Sequence, residues 1–397
     1  MKMAGKMAGK IAGKIARMMA GIPTLNAGLY RRIRFLVGDP VAWVEITDST
    51  GVTESTLILR DIEMQRAKVS ANVGRVACPA DFTPIGGLSG DRETATAQSA
   101  AEFVRRAGCV EISVDRSLPM IYAEMLFRAG IVVKCDTEWG LIERRQKDAS
   151  EIEAIRIAQQ QTEAVMKSAC QTIARAHAGV DNVLMVDGKP LTSERMQSMI
   201  DIWLLERGFS NPMSIVAGGP IGADCHDHGH GVLKSMEPII VDIFPRDKKS
   251  LYNGDCTRTV VHGKISEKLA SMHEAVAKAK ADATAAVRAG VTGQFVHEAT
   301  CRSMESSGYQ MGFAPEGASD DFTSMTHGTG HGLGLEVHEP PLLAVGGPEL
   351  LVGDVVTIEP GLYSKAVGGI RIEDIIVVTE DGCINLNSLP EGLDWMN

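Results

Sequence analysis

Between Arg31 and Glu143, short runs rich in β-branched residues alternate with longer amphipathic ones. Arg34 to Val37, Ala42 to Ile46, Ser55 to Leu59, Val110 to Val114 and Ile131 to Val133 read as strands, and Thr94 to Ala107 and Pro119 to Ala129 as helices. Such alternation marks an α/β domain with a partly parallel sheet. The charged stretch from Glu143 to Ser150 interrupts the pattern. It leads through a capping-box spacing, Ser150-x-x-Glu153, into a helix whose apolar side carries Ile152, Ile155, Val165, Met166 and Ile173. A domain boundary near Asp148 follows, with domains at 21–147 and 148–397.

Beyond that boundary the pattern predicts helices at Glu151 to Ala176 and Ser193 to Arg207, then strands at Pro238 to Phe244 and Asp255 to His262. The same order recurs as helices Glu267 to Ala289 and Gln294 to Ser307 and strands Val355 to Glu359 and Gly369 to Thr379. Side-chain similarity between the halves is weak, so the duplication is one of architecture.

The acids fall where this pattern makes them conspicuous. Asp242 ends the apolar run Ile239-Ile240-Val241, Asp255 follows the turn signal Asn253-Gly254, Glu359 follows Val355-Val356-Thr357-Ile358, and Glu373 closes Ile370-Arg371-Ile372. Each half thus offers two carboxylates on neighbouring strands. An unpaired carboxylate on a buried strand costs several kcal/mol to desolvate. Arg258 and Arg371 are the available cationic neighbours, and two arginines cannot neutralise four acids. A multivalent cation is the natural partner. Carboxylate oxygens with one or two imidazoles suit Mn²⁺, Co²⁺, Fe²⁺ or Zn²⁺, and several acids allow two ions about 3.5–4 Å apart. The candidate imidazoles lie in the segment from His327 to Glu339, where glycines at 328, 330, 332 and 334 are expected to let the backbone approach a ligand closely. Two ions sharing a water would lower its pKa and hold a carbonyl for attack, so hydrolysis is the implied reaction class.

Composition narrows the field further. Forty Lys and Arg against fifty Asp and Glu give a net charge of −10, which argues against a nucleic-acid partner. No apolar run approaches the roughly 20 residues needed to span a bilayer. Eight cysteines without a CxxC pair point to reduced thiols in a cytoplasmic protein. Met1 to Arg17 repeats a four-residue unit with Lys2, Lys6, Lys10 and Lys14 in step, but Gly5, Gly9 and Gly13 oppose a stable helix. Residues 1–20 therefore read as a low-complexity basic tail, with Met18 or Met19 as alternative starts.

Taken in order, Asp242, Gly254-Asp255-Cys256-Thr257-Arg258-Thr259, Gly330-His331-Gly332-Leu333-Gly334-Leu335 with His338-Glu339, Glu359-Pro360-Gly361 and Arg371-Ile372-Glu373-Asp374 resemble the signature of the pita-bread (M24) metallopeptidases. The nearest branch is that of the Xaa-Pro aminopeptidases and Xaa-Pro dipeptidases (prolidases). The upstream domain is similar in size and place to the creatinase-type N-terminal domain of that branch. The resemblance implies an α+β chain with an N-terminal α/β creatinase-like domain and a C-terminal pita-bread domain built from duplicated halves. It implies two divalent metal ions, Mn²⁺ first, with Co²⁺, Fe²⁺ or Zn²⁺ as alternatives. Asp242 would bind one ion, Asp255 and Glu373 would bridge both, and His331 and Glu359 would complete the other. Glu359 would also handle protons, while His338 would contact substrate or the oxyanion. His226 would do similar work, with His228 and His230 as competitors. Arg371 would support Glu373 from the same strand face.

The implied activity is hydrolysis of the bond between an N-terminal residue and proline, in a dipeptide or a longer peptide, by a homodimer. Methionine aminopeptidase chemistry, hydrolysis of another amide, a metal-free creatinase-like enzyme and an inactive pita-bread binding module are the alternatives. The upstream domain and Arg371 weigh against the first, and the filled ligand positions against the last two. One departure stands out: Ile243 to Gly254 is longer than the compact hairpin typical of the branch and is expected to alter access to the site.

Overall fold

The computed structural model describes residues 14–396. The chain divides between Arg144 and Arg145 into two compact units, three residues before the expected boundary.

In the first unit, strands β1 (Ile15–Gly21), β2 (Val41–Thr47), β3 (Thr53–Ile58), β4 (Arg75–Ala77), β5 (Glu111–Asp115) and β6 (Val132–Asp136) form one sheet in the order β4-β3-β2-β1-β5-β6. Strands β1, β2 and β3 are antiparallel neighbours, whereas the β1–β5, β5–β6 and β3–β4 pairs are parallel. Helices α1 (Ala27–Ile33), α2 (Met64–Ser70), α3 (Arg92–Arg106) and α4 (Met120–Arg128) complete the unit, as an α/β domain.

Two expectations fail here. The basic tail does not extend to residue 20, because Ile15–Gly21 is an inner strand whose Ala16, Met18 and Ala20 enter one apolar cluster while Met19 enters another. A strand buried on both faces shows no polar alternation, and the lysine repeat running into it hides its start. The repeat's first thirteen residues lie outside the described part. Arg34 to Val37 is not a strand either. Asn26 caps α1 by accepting from Leu29 N at 2.9 Å, and Arg34 ends that helix at φ +49°. Phe35 and Val37 are buried from the loop that follows.

In the second unit, α5 (Ala149–Ala174) opens with a capping box formed by Asp148 and Glu151, both contacts 2.9 Å, two residues before the expected pair. Helix α6 (Ser193–Glu206) follows, then β7 (Ile215–Gly218), β8 (Pro238–Ile243) and β9 (Cys256–Val261), one antiparallel sheet with β8 in the middle. The second half repeats the order with α7 (Glu267–Ala286) and α8 (Gly293–Ser306). Its strands are β10 (Gly330–Gly332), β11 (Glu339–Leu343), β12 (Val355–Ile358), β13 (Gly361–Ser364), β14 (Gly368–Arg371), β15 (Asp374–Val378) and β16 (Cys383–Asn385). The expected strand Gly369 to Thr379 is really two. β14 pairs with β13 in one sheet and β15 with β12 in another, and Glu373 sits at the crossing. One wholly apolar core lies beneath β7–β9 and α5–α6, and two lie beneath the second half. Among the described residues no helix is long and apolar enough to cross a membrane.

Candidate metal centre

Five chain segments deliver Asp242, Asp255, His331, Glu359 and Glu373 to one cavity of about 550 Å³. Asp242 lies near the end of β8, opposite Thr257 in β9, and Asp255 immediately precedes β9. Gly254 lets this turn approach α5, where a Cβ would strike the Thr162 hydroxyl. Gln159 of α5 then holds Asp255 by its backbone, accepting from its N–H at 2.9 Å and donating to its carbonyl at 2.8 Å. His331 sits in the middle of β10, Glu359 just past β12, and Glu373 between β14 and β15. The glycines beside His331 also let neighbouring strands approach each other closely. A Cβ at Gly330 would strike the Thr357 carbonyl of the neighbouring strand, and one at Gly332 the carbonyls of Glu339 and Pro340.

All the acids and basic groups expected at the site line this cavity: His226, Asp242, Asp255, His331, His338, Glu359, Arg371 and Glu373. His228 lines it too, and His230 does not. Of the long segment after Ile243, only Phe244 reaches the cavity. Tyr252 of that segment donates to Glu151 at 2.5 Å and Asn253 to the Gly334 carbonyl at 2.8 Å, so its later part is folded into the unit. His327, one of the candidate imidazoles, is joined around the site by Tyr363, Thr257 and Thr357, which the sequence does not single out. His327 Nε2 and the Tyr363 hydroxyl lie 2.7 Å apart, and the Thr357 hydroxyl donates to Glu359 Oε1 at 3.3 Å. The two threonines stand two residues from Asp255 and Glu359, on the same strand face, and that period was the available signal.

Ligating atoms of Asp255, His331 and Glu373 all lie within 4.8 Å of one another, and all three residues are buried. His331 Nε2 is 3.4 Å from Glu359 Oε1 and 3.8 Å from Asp255 Oδ2. The other ring nitrogen lies 3.1 Å from the Gly332 carbonyl, which assigns the proton to Nδ1 and leaves the Nε2 lone pair facing the acids. Arg371 binds Asp242 Oδ2 at 2.7 Å, while the buried Asp242 Oδ1 has no hydrogen-bond partner. Arg258, the other cation expected to neutralise the acids, pairs with Asp374 instead at 2.8 Å. Among the described residues no lysine or arginine pairs with Asp255, Glu359 or Glu373. Burial, with Glu373, Asp242 and Glu359 close by, pushes the Asp255 carboxyl well above its usual range. Burial and then Glu359 and Asp242 do the same to Glu373, and burial raises Glu359. Burial lowers His331 and His327, favouring the neutral, ligating form of the imidazole. The buried, uncompensated carboxylates, the orphaned Asp242 oxygen and the neutral imidazole fit a divalent cation.

The profile of metallopeptidase family M24 matches residues 153–380, more than half the chain. The chain belongs to this family. M24 membership brings divalent-metal use with it, in keeping with the donor set just described. The chain is 34% identical over 289 residues to a probable dipeptidase, PepE, of Mycobacterium tuberculosis, covering 72% of this chain and 70% of that one. It is 35% identical over 161 residues to an Xaa-Pro dipeptidase of Pyrococcus furiosus, covering 40% and 43%. Among solved structures, the Xaa-Pro dipeptidase from Bacillus anthracis superposes with a TM-score of 0.76 over 96% of this chain and 94% of that one, at 21% identity. The X-Pro aminopeptidase of Thermotoga maritima superposes with a TM-score of 0.75 over 95% and 96%, at 22% identity. The mixed α/β fold of such two-domain proteins is therefore the fold of this chain.

Proposed function

We propose that this M24 chain is a dinuclear exopeptidase that cleaves the bond between an N-terminal residue and proline. The observation that carries the reading is the convergence of four carboxylates and a neutral imidazole on one cavity, three of those carboxylates having no cationic side chain as partner among the described residues. Asp242, Asp255, His331, Glu359 and Glu373 would hold the ions, with Asp255 and Glu373 shared between them. When bound, two such ions lower the pKa of a shared water and polarise the scissile carbonyl. A carboxylate-rich set with one imidazole favours Mn²⁺, with Co²⁺, Fe²⁺ and Zn²⁺ as substitutes.

The remaining chemistry belongs to the chain. Glu359, its carboxyl raised by burial and its Oε1 held by Thr357, accepts the water's proton and returns it to the leaving proline nitrogen. His338, with its ring edge-on to His331 at 4.3 Å between centroids, and His226 donate to the oxyanion. Arg371 orients Asp242 through a charge-assisted hydrogen bond. Ile215, Phe244, Val337 and Leu342 give the cavity apolar walls suited to a pyrrolidine ring. The names of the dipeptidases similar to this chain support the proline-directed reading. A cytoplasmic homodimer completes the proposal. All eight cysteines are free, which agrees with a reducing compartment, and the dimer rests on the family resemblance.

The test is hydrolysis of an Xaa-Pro dipeptide and an Xaa-Pro-Yaa tripeptide by Mn²⁺-loaded protein, with Asp255→Ala as the blank. Cleavage of either above the blank is expected, and the ratio separates a dipeptidase from an aminopeptidase. No cleavage of either by protein with metal verifiably bound would move the substrate to another amide or another N-terminal residue.

A further inference from the structure

The three residues Thr257-Arg258-Thr259 of β9 bind the segment from Arg371 to Asp374 almost group by group. The Thr259 hydroxyl accepts from Arg371 N at 3.0 Å and donates to Arg371 O at 3.1 Å. The Thr257 carbonyl accepts from Glu373 N at 3.1 Å. Arg258 donates to Glu373 O at 2.6 Å and to Asp374 Oδ1 at 2.8 Å. The backbone on both sides of Glu373 is thus fixed by a strand of the opposite half. Its side chain is fixed from the same place. The Thr257 hydroxyl donates to Glu373 Oε2 at 2.8 Å and accepts from Arg371 Nε at 3.3 Å.

A hydroxyl has one proton to give. With Arg371 filling a lone pair, that proton goes to Glu373, and among the described residues no other group hydrogen bonds this carboxylate. Thr257 is fully buried and β-branched, so its χ1 is stiff and the hydroxyl cannot swing away.

We propose that Thr257 is a positioning residue whose hydroxyl holds the Glu373 carboxylate in its metal-binding orientation, tying that ligand to the strand that follows Asp255. The inference rests on the reading of Glu373 as a shared metal ligand. Groups that orient a ligand in this way typically govern metal affinity by about 10–100-fold.

The measurement is Mn²⁺ affinity by titration calorimetry on chelator-stripped protein, independent of any peptide assay. Thr257→Val, which keeps the shape and removes the hydroxyl, is expected to weaken binding by about 10–100-fold. Thr257→Ser, which keeps the hydroxyl, should stay within about threefold of the parent, since a mean hydrogen bond lost or kept separates the two. Thr259→Val, which removes a hydroxyl bonded only to backbone, should also stay close to the parent. Parental affinity in Thr257→Val overturns the proposal, as does an equal loss in Thr257→Ser or Thr259→Val, since packing or general strand stitching would then explain the effect. If Thr257→Val does not fold, Thr257→Ala read against Thr257→Ser makes the same comparison. Glu373→Gln separates this proposal from the reading beneath it. Unchanged affinity there removes Glu373 from the ligand set, whereas a large loss there beside a silent Thr257→Val refutes the positioning role alone.

Discussion

Replacing Arg371 by methionine removes the one cationic side chain that, among the described residues, pairs with an acid of the cavity, and leaves its apolar stem in place. Arg371 is 3% exposed, and its guanidinium donates to Asp242 Oδ2 at 2.7 Å, the Tyr363 hydroxyl at 3.0 Å, the Cys225 carbonyl at 3.2 Å and the Thr257 hydroxyl at 3.3 Å. In the variant Asp242, which already has one orphaned oxygen, loses the partner of the other. Breaking a buried pair from one side costs about 3–5 kcal/mol, equivalent to about 6–20 °C in Tm for a unit of this size. That full loss is expected in chelator. With saturating Mn²⁺, a cation bound to Asp242 offsets the exposed charge, and such binding itself contributes about 2.7 kcal/mol at a hundred times Kd. The Tm difference between parent and variant should therefore shrink to about half or less when metal is added. Thermal unfolding of both proteins in chelator and in Mn²⁺ forms a complete cycle. An equal Tm loss in both conditions refutes the reasoning, because Asp242 would then not be shared between arginine and metal.

Other outcomes follow from the same geometry. Asp255→Ala should lose both bound metal, measured by elemental analysis, and peptide cleavage, by more than about 100-fold; two tightly held ions in that variant would remove Asp255 from the ligand set. His338→Ala should lower kcat by about 100-fold or more while metal content stays near the parental value, and an emptied site would mean that the roles of His331 and His338 have been exchanged. In the first unit, the hydrogen bond from Arg105, joined by Arg106, lowers Glu102 to about 2. Its folded value lies below its unfolded one, so its stabilisation is present at neutral pH and fades as pH falls from about 4.5 towards 2. Because both arginines are half exposed, Glu102→Gln should cost only about 1–2 kcal/mol at pH 7. Denaturant unfolding of the two proteins at pH 7 and pH 3 should show the gap closing, and a gap that widens on acidification would contradict the assignment.

The candidate site was legible because its acids stand where strand periodicity makes an acid costly. Asp242 after Ile239-Ile240-Val241 and Glu373 after Ile370-Arg371-Ile372 are conspicuous by position alone, and both line the cavity with every other group expected there. The supporting contacts were not legible. Nothing local links Gln159 on a helix to the backbone of Asp255, or Thr257 to Glu373, since such pairs exist only once distant segments have met. The fold shows the same division. The long helices and the repeated order of the second unit follow from amphipathic periodicity. By contrast, Ile15–Gly21 lacks alternation because it is covered on both faces from Met18 onward, and its lysine-rich approach reads as solvent-facing. Arg34 to Val37 has the composition of a strand, but Arg34 is spent ending a helix, and the buried Phe35 and Val37 pack from a loop.

The partners of Arg258 tie the metal centre to a distant segment of the chain. Its buried guanidinium donates to the carbonyls of Glu373, Leu389 and Pro390 and to Asp374, all more than a hundred residues further along the chain. Glu163 of α5 likewise accepts from the backbone N–H groups of Ser388 and Leu389. Both contacts fasten the first half of the second unit to the segment around residues 388–390, far from it in sequence. The strand that carries Thr257 beside Glu373 is therefore anchored by a segment that lines no part of the cavity. Substitutions around Leu389 are accordingly expected to reach the metal centre through Arg258 and not by touching it.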